Sequence, residues 1–250
     1  MASRPVFFVT TPQKGWVRVE MVSFEWFPGM SLAQKRRSID AMQAAAQKLA
    51  PDCSLLEIST KSAAADGRAL SGFELCLDAR GKRMPVESLF QGSKLCRAPG
   101  GAAVPYQDLY GEDAVTAKRD PRLAACHLAG FRLFDEDWPL SPWPPMTPGQ
   151  ADALPPSAFY DFLYFRALLQ QPALAAKARA FDGFTDLEFT PGKSDNCQAF
   201  SAALFVSLTA AAQAGGPTPE PAALVASQAT FRKEAASLGL YAAATALWPK

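Results

Sequence analysis

The segment Pro85-Val-Glu87-Ser-Leu-Phe-Gln91-Gly-Ser-Lys94-Leu-Cys96 sets an acid, an amide and an amine at positions i, i+4 and i+7. On a helix running from Pro85 to about Cys96, Glu87, Gln91 and Lys94 would share one face. Such a face could move protons or form a covalent imine. The same order, acid early and amine late, also suits a solvated surface aligned with the helix dipole. A second cluster is Phe184-Thr-Asp186-Leu-Glu188-Phe, followed by Lys193-Ser-Asp195-Asn196-Cys-Gln198. Its two carboxylates, two residues apart in an apolar setting, could sit across a sugar from Glu87. Alternatively, Ser194 caps the next helix and Asp195 complements its dipole. A third cluster, Leu70-Ser71-Gly72-Phe73, is a small-residue turn entering a strand. Its backbone N–H groups could approach a phosphate or ribose, or the turn could simply open the strand.

Other chemistries lack their residues. His127 is the only histidine and no Cys-x-x-Cys occurs, which excludes zinc-finger and His-x-x-x-His metal patterns and argues against a Ser-His-Asp triad. Neither Gly-x-Gly-x-x-Gly nor Gly-Lys-Ser/Thr is present, so dinucleotide and phosphate-loop signatures are absent too. No metal and no cofactor is expected. The scattered cysteines, 53, 76, 96, 126 and 197, are expected as reduced thiols in a cytoplasmic protein. His127 itself reads as a hydrogen-bonded, partly buried side chain. Lys35-Arg36-Arg37 and Arg80-Gly-Lys82-Arg83 could touch nucleic-acid phosphates, or be a solvated helix face and a polar turn. Trp26-Phe27-Pro28-Gly29 and Phe159-Tyr160-Asp161-Phe162-Leu163-Tyr164 could stack on a base, or belong to the core.

The elements that must carry these groups are legible from periodicity. Pro5–Val9 and Trp16–Phe24 read as a hairpin, and Ser31 caps a helix to about Ala50. Short strands follow at Ser54–Ser59 and Phe73–Ala79, then the Pro85 helix, with Pro at its first turn. Helical pieces flank Asp120-Pro121, and a strand spans Ala129–Phe134. Residues 139–156 hold seven prolines and read as an irregular loop. Helices are expected over 159–180, interrupted at Pro172, and from near Ser194 to about Ala214. The pattern predicts an α+β fold, mostly helical around a small sheet. It is organised as a single domain with a core of about 55–214, an N-terminal extension over 1–54 and a C-terminal helical appendage over 215–250. With 250 residues, 49% hydrophobic and 20% charged, the chain can bury a large core. Its net charge of +1 excludes a strongly basic nucleic-acid coat. No apolar run approaches the ~20 residues of a membrane span, and the N-terminus lacks the apolar core of an export signal.

Taken in order, the three clusters resemble the NADAR (YbiA-like) superfamily, tied to NAD and ADP-ribose chemistry. Leu70-Ser71-Gly72-Phe73 is similar to its Phe-Ser-Asn-Phe turn, with Gly for Asn. The Glu87–Lys94 segment is similar to its Glu-x-x-(aromatic)-Gln-x-x-Lys helix. Phe184-Thr-Asp186 through Asn196 is similar to its Trp-Gly-Asp…Gly-Lys-Asn segment, with Phe for Trp and Thr for Gly. The likeness spans about 55–210. The wording of Phe24–Gly29, Val86–Gln91, Phe159–Tyr164 and Phe184–Phe189 is closer to the branch of NADAR antitoxins partnered with DarT-type DNA ADP-ribosyltransferase toxins.

That resemblance implies an ADP-ribosyl hydrolase, an N-glycosidase that removes ADP-ribose from guanine bases in DNA. By this likeness Glu87 takes the acid/base role, and Lys94 attacks the anomeric carbon or steadies Glu87. Asp186 binds ribose hydroxyls or positions water, and Phe184 stacks on a purine. Ser71, Asn196, Gln91 and Phe73 hold the ligand, and Gly72 offers a backbone N–H. ADP-ribosylated DNA is the expected substrate and a DarT-type toxin the expected genetic partner. Two other readings compete: an N-glycosidase of phosphorylated ribosylamines, and a non-catalytic module binding NAD, ADP-ribose or the toxin. Near-neutral charge predicts weak retention of unmodified DNA at physiological salt.

Overall fold

A computed structural model describes residues 1–97, 103–140, 154–245 and 247. Alternating β-formers give the hairpin of β1 (Ala2–Val9) and β2 (Val17–Phe24). The hydroxyl of Ser31 accepts from the Gln34 N–H and so caps α1 (Leu32–Leu49). β3 (Leu55–Glu57) and α2 (Ala65–Ala69) lead to a second hairpin, β4 (Cys76–Ala79) and β5 (Lys82–Pro85). Its two-residue turn places Arg80 at φ 51° and Gly81 at φ 73°, the left-handed pair that a tight hairpin twist requires. α3 (Val86–Ser93), β6 (Lys94–Arg97) and β7 (Ala103–Val104) follow, then α4 (Ala114–Lys118) and α5 (Pro121–Ala124) on either side of Asp120. β8 (His127–Leu133) and β9 (Glu136–Pro139) precede α6 (Ser157–Leu169) and α7 (Pro172–Ala178). The chain continues through β10 (Gly183–Thr185) and α8 (Gln198–Gln213) to α9 (Pro221–Leu224) and α10 (Gln228–Ser237).

Two four-stranded sheets result, ordered β2-β1-β10-β3 and β7-β6-β8-β9. In the first, β10 runs antiparallel to β1 and parallel to β3, pairing Phe184 with Phe7 and Leu56. Everything between β3 and β10, including the second sheet, is thus enclosed by one long crossover. The architecture is α+β, as the sequence predicts. Helices α6 and α8 are buried on nearly every side, which their almost continuous apolar sequence dictates. Phe159 of α6 stacks on Phe131 of β8 at 4.4 Å, tying the second sheet to this helical core. Residues 1–54 supply the β1 strand at the middle of the first sheet. After 215, Leu224, Phe231, Leu240 and Tyr241 join the main core, and the Trp16 indole N–H donates to the Leu238 carbonyl at 2.9 Å.

Several expectations need correction. The Pro85 helix stops at Ser93, and Lys94 opens a strand that pairs with Phe131 of β8. Gly92 and Ser93 are weak helix formers, and antiparallel pairing with β8 supplies the following residues with ladder hydrogen bonds. The helix expected from Ser194 begins at Gln198, after a loop in which the Ser194 hydroxyl accepts from the Thr190 N–H. Cys96 and Cys126 are joined as a disulfide, brought together by the β6–β8 pairing, while Cys53, Cys76 and Cys197 are free. His127 is exposed. The 139–156 loop lies largely outside the described residues. Among the described residues, no helix is long and apolar enough to cross a membrane.

Candidate active site

A cavity of about 440 Å³ opens beside the first sheet, between the start of α1, the β3–α2 connection, α3, α4 and the segment after β10. That volume lies in the range of small-molecule sites. Glu87, Asp186, Ser71, Phe73, Asn196 and Gln198 are among its lining residues. Three of the sequence clusters therefore meet at this cavity, although 125 or more residues separate the first from the last.

Glu87 stands in the first turn of α3 and is almost wholly buried. Its Oε1 accepts from the Gln91 amide at 2.9 Å and lies 3.2 Å from the Lys118 ammonium of α4. A buried acid is costly unless such donors compensate it. Lys118 also sits 5.0 Å above the Phe73 ring, so the ammonium is held between a carboxylate and an aromatic face. Asp186 follows β10 directly and is also buried. Burial above all, with the nearby Glu57 carboxylate, raises its pKa to about 8 against the opposing pull of Lys118. Asp186 is thus a proton carrier at neutral pH, facing the same cavity as an ion-paired Glu87.

Gln198 binds the two halves of the site together. Its Nε2 donates to the Ile58 carbonyl at 2.7 Å, and its Oε1 accepts from the Ser71 hydroxyl and the Gly72 N–H at 3.1 and 2.9 Å. The Gly72 carbonyl in turn accepts the Glu87 N–H at 2.9 Å. An uninterrupted chain of buried hydrogen bonds therefore runs from β3 to the first turn of α3. Gly72 must lack a side chain: a Cβ there would lie 2.0 Å from the Tyr160 hydroxyl. Around the cavity, Lys35, Lys61, Lys118 and Arg119 add cationic lining above the acidic floor. Lys35 pairs with Glu188 at 2.9 Å, and the Lys61 ammonium donates to the Thr60 hydroxyl at 2.9 Å.

Not every residue singled out from the sequence faces the cavity. Gln91 reaches it only through Glu87. The Gly72 N–H is committed to Gln198 and is not open to a ligand. Phe184 is completely buried in the core, 6.4 Å from Phe181, so it offers no stacking face. Phe73 and Phe189 line the cavity instead. Lys94 is absent from the lining and pairs with Asp195 at 2.7 Å, steadying the loop that carries Asn196. Sequence reasoning missed Lys118, Gln198 and Glu57 as partners of the site. For Lys118 and Glu57 the short amphipathic pieces around them gave no cue beyond secondary structure.

Two buried carboxylates in unlike environments, amide and hydroxyl groups and a cationic rim give the cavity a polar lining that carries both signs of charge. The family model described as DarT1-associated NADAR antitoxin matches residues 2–216, and the chain belongs to that family. No curated protein matches it.

Proposed function

We propose that this antitoxin is an ADP-ribosyl hydrolase that cleaves the N-glycosidic bond between ribose and a guanine base of DNA, undoing the action of a DarT-type toxin in the cytoplasm. The observation that carries the proposal is the pairing, in one cavity, of an ion-paired Glu87 with a buried, proton-bearing Asp186. Breaking the C1′–N bond sends its electron pair to the base nitrogen and leaves positive charge on the anomeric carbon. Asp186 gives its proton to the departing nitrogen. Glu87 stabilises the developing cation and takes a proton from the water that attacks C1′. The products are ADP-ribose and the repaired base, and solvent returns the proton from Glu87 to Asp186.

The lining supplies binding groups for the rest of the ligand. Lys35, Lys61 and Arg119 suit the diphosphate, Ser71 and Asn196 suit hydroxyls or base edges, and Phe73 offers an aromatic wall. This division departs from the roles implied by the resemblance, in which Glu87 was the acid/base and Asp186 bound ribose hydroxyls or positioned water: Asp186 becomes the acid and Glu87 the base. Lys118 replaces Lys94 as the cation beside Glu87. Lys94 acts through Asp195, as a loop anchor.

The test is incubation with an enzymatically ADP-ribosylated oligonucleotide. The wild type should release ADP-ribose, and Glu87→Gln should lose about 100-fold or more in rate. Release at the wild-type rate by Glu87→Gln would refute the assignment. Turnover of a ribosylamine phosphate but not of modified DNA would replace the substrate. A borohydride-trapped adduct lost in Lys94→Ala would make Lys94 a nucleophile and contradict its role as a loop anchor.

A further inference from the structure

We propose that Glu57 is a positioning residue for Asp186, clamping the chain on both sides of it so that the two carboxylates work as one acid–base unit. The inference rests on the hydrolase reading and deepens it. Glu57 lies in β3, buried at 2% exposure, with Thr185 directly beside it in the parallel register. Its Oε2 accepts from the Thr185 hydroxyl at 2.6 Å and its Oε1 from the Leu187 N–H at 3.0 Å. These donors are the residues immediately before and after Asp186. Backbone pairing reinforces the clamp, since the Ile58 N–H donates to the Thr185 carbonyl at 2.8 Å.

Asp186 is therefore fixed at two points, one on each side, while its own Oδ1 accepts the Glu188 N–H at 3.1 Å and its other oxygen is not tied by this clamp. Ile58, the residue after β3, holds Gln198 through its carbonyl, and so registers Asp186 against the Ser71-Gly72 turn and Glu87. A buried acid at this position for stability alone would be an expensive choice, because burial raises its own pKa and its charge opposes ionisation of its neighbour. That opposition is useful where Asp186 must keep its proton until a base departs. The charged and titratable groups around Asp186 include Glu57 from β3, Lys118 from α4, Tyr160 from α6 and Cys197 before α8, with Glu87 of α3 lining the same cavity. On its own segment Glu188 is tied to Lys35 of α1.

Glu57→Gln keeps the shape, an acceptor for Leu187 and a donor for Thr185, but removes the charge. The full-length variant should be compared with the wild type by the pH profile of kcat/KM on ADP-ribosylated oligonucleotide and by carboxyl-carbon NMR of Asp186. The alkaline limb and the Asp186 titration should both move to lower pH, by on the order of one unit. Superimposable titrations would overturn the proposal. Glu57→Asp keeps the charge but shortens the reach. It should leave the limb in place and lower kcat several-fold with KM held, and an unchanged kcat would overturn the clamp. If the wild type cleaves no modified DNA yet the NMR shift appears, the hydrolase reading fails and the carboxylate coupling stands.

Discussion

Gly72→Ala is the most informative single-atom perturbation of this site. The added Cβ would lie 2.0 Å from the Tyr160 hydroxyl oxygen and 3.1 Å from the ring carbon bearing it. Tyr160 cannot swing aside: it is fully buried, with Phe90 edge-on at 5.3 Å and Tyr164 stacked at 6.1 Å. Overpacking of this kind costs about 1–3 kcal/mol, and the rigid surroundings favour the upper half of that range. At about 2–4 °C per kcal/mol for a chain of this size, Tm should fall by roughly 4–12 °C. Among the described residues the Tyr160 hydroxyl has no hydrogen-bond partner, so Tyr160→Phe should itself cost little. In combination it removes the 2.0 Å contact and leaves only a 3.1 Å one, which a shift of a few tenths of an ångström relieves. The double variant should recover about 1 kcal/mol or more of the loss in denaturant unfolding. Because Gly72 holds both Gln198 and the Glu87 N–H, Gly72→Ala should also slow cleavage, with Tyr160→Phe restoring part of the rate. Strict additivity of the two changes would refute the packing argument.

Three further outcomes follow from the same contacts. Gln198→Leu leaves the Ile58 carbonyl, the Ser71 hydroxyl and the Gly72 N–H without their partner. It should destabilise by about 3 kcal/mol or more, read by urea unfolding, and unchanged stability would contradict the bridging role. Lys118→Ala removes the half-exposed cation beside buried Glu87. It should lower kcat on modified oligonucleotide at least tenfold and also destabilise the fold, because buried Glu87 loses its cation, and wild-type kcat would count against its place in the site. Asp161 in α6 is buried and bonded to Ser201 and Tyr241, and burial raises its pKa to about 7. Folding therefore favours its protonated form. The stability it contributes is complete below the unfolded value near 4 and is lost as pH rises through about 7. Relative to Asp161→Asn, the wild type should lose about 2–3 kcal/mol between pH 5 and 8, and a pH-independent difference would contradict the shift.

The sequence made regular elements visible where a local signal existed. The hairpin over 2–24, the Ser31 cap and the Pro172 break all carry their cause in adjacent residues. The end of α3 was not legible, because β8, more than thirty residues away, is what turns Lys94 into a strand residue. β10 is three residues long and exists only because β1 and β3 pair with it on both sides. The site shows the same division. Glu87 and Asp186 could be picked out by residue type and by resemblance, yet their partners Lys118 and Glu57 come from other parts of the chain, and Gln198, at the end of the second cluster, carried no sign of its bridging role. Phe184 reads as a stacking residue by position in a motif, but it sits in the middle of the sheet between β1 and β3, with its side chain wholly buried in the core.

The central claim, that Asp186 delivers the proton to the departing base, is tested most directly by single-turnover release of ADP-ribose from guanine-modified DNA by Asp186→Asn across pH 5 to 9. The account predicts a rate at least about 100-fold below wild type at neutral pH, with the wild type's alkaline decline abolished. An Asp186→Asn variant that keeps both the rate and the decline of the wild type would contradict it.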